Sequence, residues 1–408
     1  MEKIEGVRTV KEANWLDKRC RTLVHSVFSK LSYGELEVVE GADHHIFPEK
    51  QGSSALKGKI NIHDVSVYRA FVKGGSIGVA EAYIEGKWSS PNLTNVIRIF
   101  AKDQQQTDNL ENKTSWKNRI DNTVSHWQNR NTQSGSKRNI LAHYDIGNEL
   151  YTRFLDPEMM YSSAIYPHEN ATLDEAQIYK LSTICQRLSL CEDDHLLEIG
   201  TGWGGLAIYA AQNYGCRVTT TTISDEQYNY AKSRINELGL QDKITLLKKD
   251  YRDLTGSFDK VVSIEMIEAV GFEFLPSFFK QCNDRLKEGG KLLIQSITIA
   301  DQRFNHYKKN VDFIQRYIFP GGFLPSVNVL SQNITDHTRL VIESLDDIGL
   351  DYAKTLAHWR ENFLASWTTL TDLGYDEQFK RLWLYYFAYC EGAFIERSTS
   401  TIHLVARK

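Results

Sequence analysis

Residues 196–207 read LLEIGTGWGGLA, and this stretch decides the fold. The run 195–200, HLLEIG, has the length and apolarity of a buried strand, and Trp203–Asn213 reads as a helix. Three glycines at alternate positions, Gly200, Gly202 and Gly204, stand directly between the two. They permit a tight turn and a close approach of backbone to a ligand at the carboxyl edge of a sheet. The string also satisfies GxGxxG through Gly200, Gly202 and Gly205. A dinucleotide site, however, wants an acid ending the second strand to hold the ribose diol. Here that strand, CRVTTTTI (216–223), ends without one, and Asp225 comes only after Ser224, a suitable helix cap. No Walker lysine follows the glycines, so the loop is not built for a triphosphate.

Outward from this turn, strands alternate with helices. KITLLKKD (243–250), FDKVVSIEM (258–266) and KLLIQSITI (291–299) read as strands. A helix runs from the Ser224 cap to about Leu238 and another over Phe274–Leu286. This βαβα order predicts an α/β fold, a parallel sheet with helices on both faces. HTRLVIESL (337–345) and STIHLVARK (400–408) are candidate late strands. The stretches 356–370 and 376–394 between them have helical apolar spacing. On the amino side, Glu35–Glu40 and Ile60–Val65 read as strands and Val67–Phe71 as a brief helix before an amphipathic segment. Residues 101–139 are rich in Gln, Asn, Ser and charge, the composition of a polar linker with one surface helix. The expected organisation is a small domain over 1–100, a linker over 101–139 and a catalytic domain over 140–408.

With 408 residues the chain exceeds what one core usually serves. A net charge of −4 gives no reason to expect nucleic acid as a partner. No apolar run reaches the roughly 18 residues of a membrane span, and the first twenty residues lack a secretory h-region. Six cysteines are scattered without CxxC or Cys/His clustering, so neither a metal site nor a disulfide framework is expected. A reduced, cytoplasmic protein fits. One feature needs a partner: VVSIEMIEAVG (261–271) ends a strand in two acids, Glu265 and Glu268, which are costly to bury unpaired.

Further strings occur in order along the chain. They are AHYDIGNELYTRFLDPEMMYSSAIY (142–166), EIGTGWGG, KDYRDL (249–254), SIEMIEAVG and RYIFPGGFLPS (316–326). Together they resemble the cyclopropane-fatty-acid-synthase family of S-adenosylmethionine-dependent enzymes. VYRAFVKGGSIGVAEAYIEGKW (67–88) resembles that family's small lipid-associated domain. The resemblance implies a Rossmann-like class I methyltransferase domain with a smaller N-terminal domain. It also implies methyl transfer to a cis double bond of a phospholipid acyl chain, followed by proton loss from the carbocation and closure to a cyclopropane. An alkene is a weak nucleophile, so positioning supplies much of the rate. The cation favours aromatic faces and a few negative groups.

By the same resemblance, Tyr161 and Ser162 meet the methionine end of S-adenosylmethionine. Glu198 is the acid before the glycine loop of Gly200 and Gly202. Thr222, Ile223 and Gln227 stand beside the ribose and methionine, and Asp250 and Tyr251 at the adenine. Taken alone, Tyr161 is equally a core tyrosine and Gln227 a surface helix residue. The family's base is a bicarbonate ion held by cysteine, glutamate, histidine, tyrosine and a backbone amide. Glu268 and Tyr317 match the glutamate and tyrosine, Ser163 and Gln295 replace the cysteine and histidine, and Ile297 supplies the amide. Serine and glutamine can both donate to an anion, but neither brings the histidine's positive charge.

Glu265 matches a glutamate of amine-methylating relatives, where a histidine stands at the position of Ala269; a structural or cofactor-side role is the expectation here. Cys390 matches an active-site candidate cysteine, though a thiol on an apolar helix face is more often packed. His143 is expected to organise the segment closing over the cofactor. Arg303, Lys308, Lys309 and Arg316, in a helical insert over 298–322, are placed to meet anionic headgroups or simply solvent. A peripheral protein on the inner face of the membrane, in a form that allows a homodimer, completes the expectation. The rivals are a methyltransferase for another lipid or a small amine, a methyl-branched or methylene product, and a non-catalytic binding protein.

Overall fold

The computed structural model describes residues 13–48, 55–103 and 147–408. His143 and all but the first residues of the expected linker lie outside them. The chain divides into two units. The first holds the described residues up to 103 together with Asn310–Phe313 and Trp367–Ser398. The second holds the described residues 147–309, Ile314–Ser366 and Thr399–Lys408.

In the first unit β1 (Glu35–Glu40), β2 (Asp43–Phe47), β3 (Lys57–Ile62) and β4 (Trp88–Ser89) form a sheet in the order β2-β1-β3-β4. Every second residue of β1 points inward, which places Leu36, Val38 and Glu40 in the core. Glu40 is tolerated there because Arg21 Nε lies 2.8 Å away and the Tyr68 hydroxyl also donates to it. The brief helix expected over Val67–Phe71 instead runs to Ile84, broken at Gly75, whose φ of 54° only glycine adopts freely. Helix Glu377–Ile395 groups with this unit. Thr94 donates to Glu391 at 2.7 Å and Arg98 to Glu396 at 2.7 Å. Periodicity reveals which face of a helix is apolar but not what covers it.

The second unit is built on β5 (His195–Ile199), β6 (Arg217–Thr222), β7 (Ile244–Lys248), β8 (Phe258–Ile264), β9 (Leu286–Ile299), β10 (Val341–Asp347) and β11 (Thr399–Arg407). Their order is β10-β11-β9-β8-β5-β6-β7. Strands β5 to β9 pair in parallel, while β11 runs antiparallel to both β9 and β10. Neighbouring residues of β8 serve opposite faces: Val262 packs with Leu181, Ile184 and Leu206, and Val261 with Phe278, Phe279 and Leu330. Helices cover both faces, so the α/β, Rossmann-like expectation holds. The strand order reverses at β5, between β6 and β8, which opens a crevice at the carboxyl ends of these strands. The insert over 298–322 is not one helix; it consists of short turns at Asp301–Arg303, Phe304–Tyr307 and Ile314–Ile318.

Helix Gly205–Tyr214 starts hard against the segment 158–160. A Cβ on Gly205 would lie 2.6 Å from Met160 Sδ and 2.7 Å from the Glu158 carbonyl. Alanine normally stabilises a helix relative to glycine by about 1 kcal/mol. Gly205→Ala is expected to reverse that sign and cost about 1–3 kcal/mol through overpacking, read by urea unfolding.

Candidate active site

At the end of β8 the chain makes an unusual move. Glu265 takes a left-handed backbone, φ 46°, which is costly for a residue with a Cβ. Its N–H donates to the Gln295 carbonyl on β9 at 2.8 Å, and a short turn, Ile267–Ala269, follows. Both acids thus stand at the carboxyl edge of the sheet, next to the glycine turn. A Cβ on Gly200 would lie 3.2 Å from Met266, a residue between them in sequence. Gly200 has φ 104° and Gly202 φ 53°, and the Thr221 carbonyl accepts from Gly200 N–H at 3.1 Å.

The two carboxylates are held differently. Glu265 is saturated: Oε1 accepts from Ser163 N–H at 2.9 Å and Gln295 Nε2 at 2.7 Å, and Oε2 from the Tyr352 hydroxyl at 2.8 Å. Burial raises its proton affinity, and these donors oppose the shift. Glu268 is held on one side only. Its Oε1 accepts from Ile297 N–H at 2.6 Å, with Ser296 Oγ 3.2 Å away, while its buried Oε2 has no hydrogen-bond partner among the described residues. Burial first, then the charge of Glu265, pushes its carboxyl up to about 8.

Gln295 is itself fixed. Its amide hydrogens go to Glu265 and to the Ser163 carbonyl at 3.2 Å, which leaves Oε1 to accept from His403 Nε2 at 2.8 Å. His403 lies directly opposite on β11 and is fully buried. Burial depresses its pKa well below the usual range, so it is a neutral imidazole with the proton on Nε2. The Ser163 hydroxyl donates to the Ala164 carbonyl at 2.9 Å.

Bicarbonate fits this arrangement poorly. The Ser163 hydroxyl, both Gln295 amide hydrogens and the Ile297 N–H are already committed to protein acceptors. Tyr317, expected beside Glu268, is 37% exposed and supplies none of the bonds that hold that carboxylate. The sequence did not show this because Ser163 and Gln295 have capable donors whose use depends on Glu265 and His403. Cys390 lies on helix Glu377–Ile395, where burial pushes its thiol up, as for a packed cysteine.

Of the residues expected at the cofactor, Gly200, Ile223 and Asp250 stand just past the carboxyl ends of β5, β6 and β7. Thr222 donates to Gln227 at 2.8 Å, Ile223 follows in the turn, and Ser224 caps the next helix. At the end of β7, Asp250 binds Arg252 through both carboxylate oxygens, at 2.8 and 2.7 Å, and the neighbouring Tyr251 ring is buried. Tyr161 stacks among Tyr151, Phe154 and Trp359, with centroids 5.2, 6.1 and 5.3 Å away. Glu198 is buried on β5, accepts from Thr220 Oγ1 at 2.6 Å, and is pushed up to about 8 by burial. A carboxyl that holds its proton more tightly folded than unfolded makes stability fall as pH rises, here from about 4.5 to about 8. Glu198→Gln is therefore expected to flatten this slope, gaining on the order of 2 kcal/mol on wild type between pH 5 and pH 8 in denaturant melts.

Sequence reading missed Lys180, a fully buried lysine under the Tyr161–Ser162 segment. Its Nζ donates to Ser162 Oγ at 2.8 Å, and burial lowers its pKa to about 8 against the charges of Asp156 and Glu265. Asp156 accepts from the N–H groups of Glu158 and Met160, both at 2.9 Å, and burial pushes it up to about 6. The signal was there: Lys180 falls on the buried stripe of helix Leu173–Leu188, with Leu173, Gln177, Leu181 and Ile184.

Comparison with known proteins agrees with this architecture. Residues 129–404 match the model of the mycolic acid cyclopropane synthetase family. The chain is 37% identical over 341 residues to a cyclopropane-fatty-acyl-phospholipid synthase of Escherichia coli, covering 83% of this chain and 85% of that one. It is 36% identical over 333 residues to a tuberculostearic acid methyltransferase of Mycobacterium tuberculosis, covering 80% and 77%. The fold is similar to a crystal structure of a mycolic acid cyclopropane synthase complexed with SAH and CTAB. That match has a TM-score of 0.62 and 26% identity, over 67% of this chain and 98% of the other.

Proposed function

The chain belongs to the mycolic acid cyclopropane synthetase family of S-adenosylmethionine-dependent methyltransferases, and from that premise we propose that it modifies cis double bonds in phospholipid acyl chains. Among the described residues no helix is long and apolar enough to cross a membrane. The enzyme would work as a peripheral protein on the cytoplasmic face, drawing acyl chains from the bilayer.

The observation that carries this reading is the carboxylate pair beside the glycine turn, with Glu268 Oε2 unshared. Gly200, Gly202, Thr222, Ile223, Gln227, Asp250 and Tyr251 would hold the nucleoside, with Tyr161 and Ser162 at the methionine end. S-Adenosylmethionine supplies an electrophilic methyl group. The double bond takes it, and the positive charge left on the neighbouring carbon is stabilised by nearby aromatic faces such as Tyr161. Loss of a proton from the transferred methyl group closes the ring. Amines need no such step, and the remaining motif set favours the alkene.

Incubation with unsaturated phospholipid vesicles and S-adenosylmethionine, followed by analysis of the fatty esters, tests this. Acyl chains heavier by one methylene are expected, and unchanged chains would defeat it. One second reading has an observation behind it: Ser163 and Gln295 replace the cysteine and histidine of the proton-removing pocket, and on that reading the cation is resolved to an exocyclic methylene. NMR separates that isomer from the ring.

A further inference from the structure

We propose that Glu268 takes the proton from the reacting chain directly, through Oε2, and that this enzyme works without the bicarbonate its relatives use. The inference rests on the alkene chemistry proposed above. A bound anion needs donors, and those of Ser163, Gln295 and Ile297 are already spent on protein acceptors. Ser163 Oγ gives its hydrogen to the Ala164 carbonyl. The Gln295 amide gives one to Ser163 and one to Glu265, and the Ile297 N–H goes to Glu268 Oε1.

Gln295 cannot simply turn its amide to serve an anion. A flip would aim its oxygen at the Glu265 carboxylate and face an N–H₂ group to the His403 N–H. His403 is therefore a positioning residue, which locks the amide that saturates Glu265. The result is an asymmetric pair: one carboxylate tied by three donors, the other with a buried oxygen that has no hydrogen-bond partner among the described residues. A carboxylate with one bare, desolvated oxygen is a good proton acceptor, and its raised proton affinity agrees with that task. An added anion would sit beside two carboxylates, and Lys180, the buried cation nearest in charge effect to Glu265, is turned to Ser162.

The step balances. A C–H bond of the transferred methyl group breaks, its electron pair closes the third ring bond onto the cationic carbon, and the proton passes to Glu268 Oε2. Solvent removes that proton after the product leaves.

Two measurements test the claim. First, ¹³C-labelled bicarbonate is titrated into the full-length protein loaded with S-adenosylhomocysteine. No bound resonance is expected; a bound resonance that disappears in Glu268→Gln would overturn the proposal, and this arm needs no turnover. Second, product formation is compared in carbon-dioxide-free buffer with and without added bicarbonate, where a change of less than about twofold is expected. Glu268→Ala should recover activity at least about tenfold with formate or acetate as substitute bases. Stimulation of the wild type by bicarbonate, or rescue by bicarbonate alone, would contradict direct transfer. A wild type that binds no bicarbonate yet modifies no acyl chain would instead defeat the function proposed above.

Discussion

Glu268→Gln is expected to lower kcat for acyl-chain modification by at least about 100-fold, the usual worth of a positioned base, while S-adenosylhomocysteine binding stays within about twofold. The amide keeps an oxygen to accept from Ile297 N–H, so the turn after β8 survives. What it loses is the unshared, proton-hungry Oε2. Kinetics against binding by calorimetry separates the two roles. Equal loss of both would make Glu268 a structural residue of the cofactor turn. Glu265→Gln should behave differently, because its three donors hold the Ser163 backbone, Gln295 and Tyr352 in place. Its first effect is on stability.

Lys180→Met is expected to destabilise the second unit by about 2–3 kcal/mol at pH 7. The substitution keeps the apolar stem but removes the ammonium that donates to Ser162 and offsets Asp156 and Glu265. Asp156, pushed up to about 6, is largely ionised at pH 7 and largely protonated at pH 5, while Lys180 is charged at both. An uncompensated charge costs only while it is a charge, so the loss should shrink by about half at pH 5. Denaturant melts at the two values measure it. Equal losses would mean that the charge of Asp156 is not what makes the substitution costly.

Much of this protein is legible in its sequence. The glycines of 196–207 announce the turn because positive φ and close approach to Met266 leave few other residues possible. The order of strands and helices around it fixes the parallel sheet. The acids after β8 are legible as a problem, two charges ending an apolar run. Their solution is not, because it lies in residues far apart in the chain: Ser163, Gln295, Tyr352 and, one strand over, His403. Helix Glu377–Ile395 is legible only in part for the same reason; its apolar face is plain, but its hydrogen-bond partners Thr94 and Arg98 are far away in the chain.

The most direct measurement of the central claim uses S-adenosylmethionine carrying a trideuterated methyl group with unsaturated phospholipid vesicles, followed by mass analysis of acyl chains and headgroups separately. Two of the three deuterons should appear in the acyl chain, because one leaves the transferred methyl group as the cation is resolved. All three deuterons on a headgroup amine, or none on any acyl chain, would contradict the account.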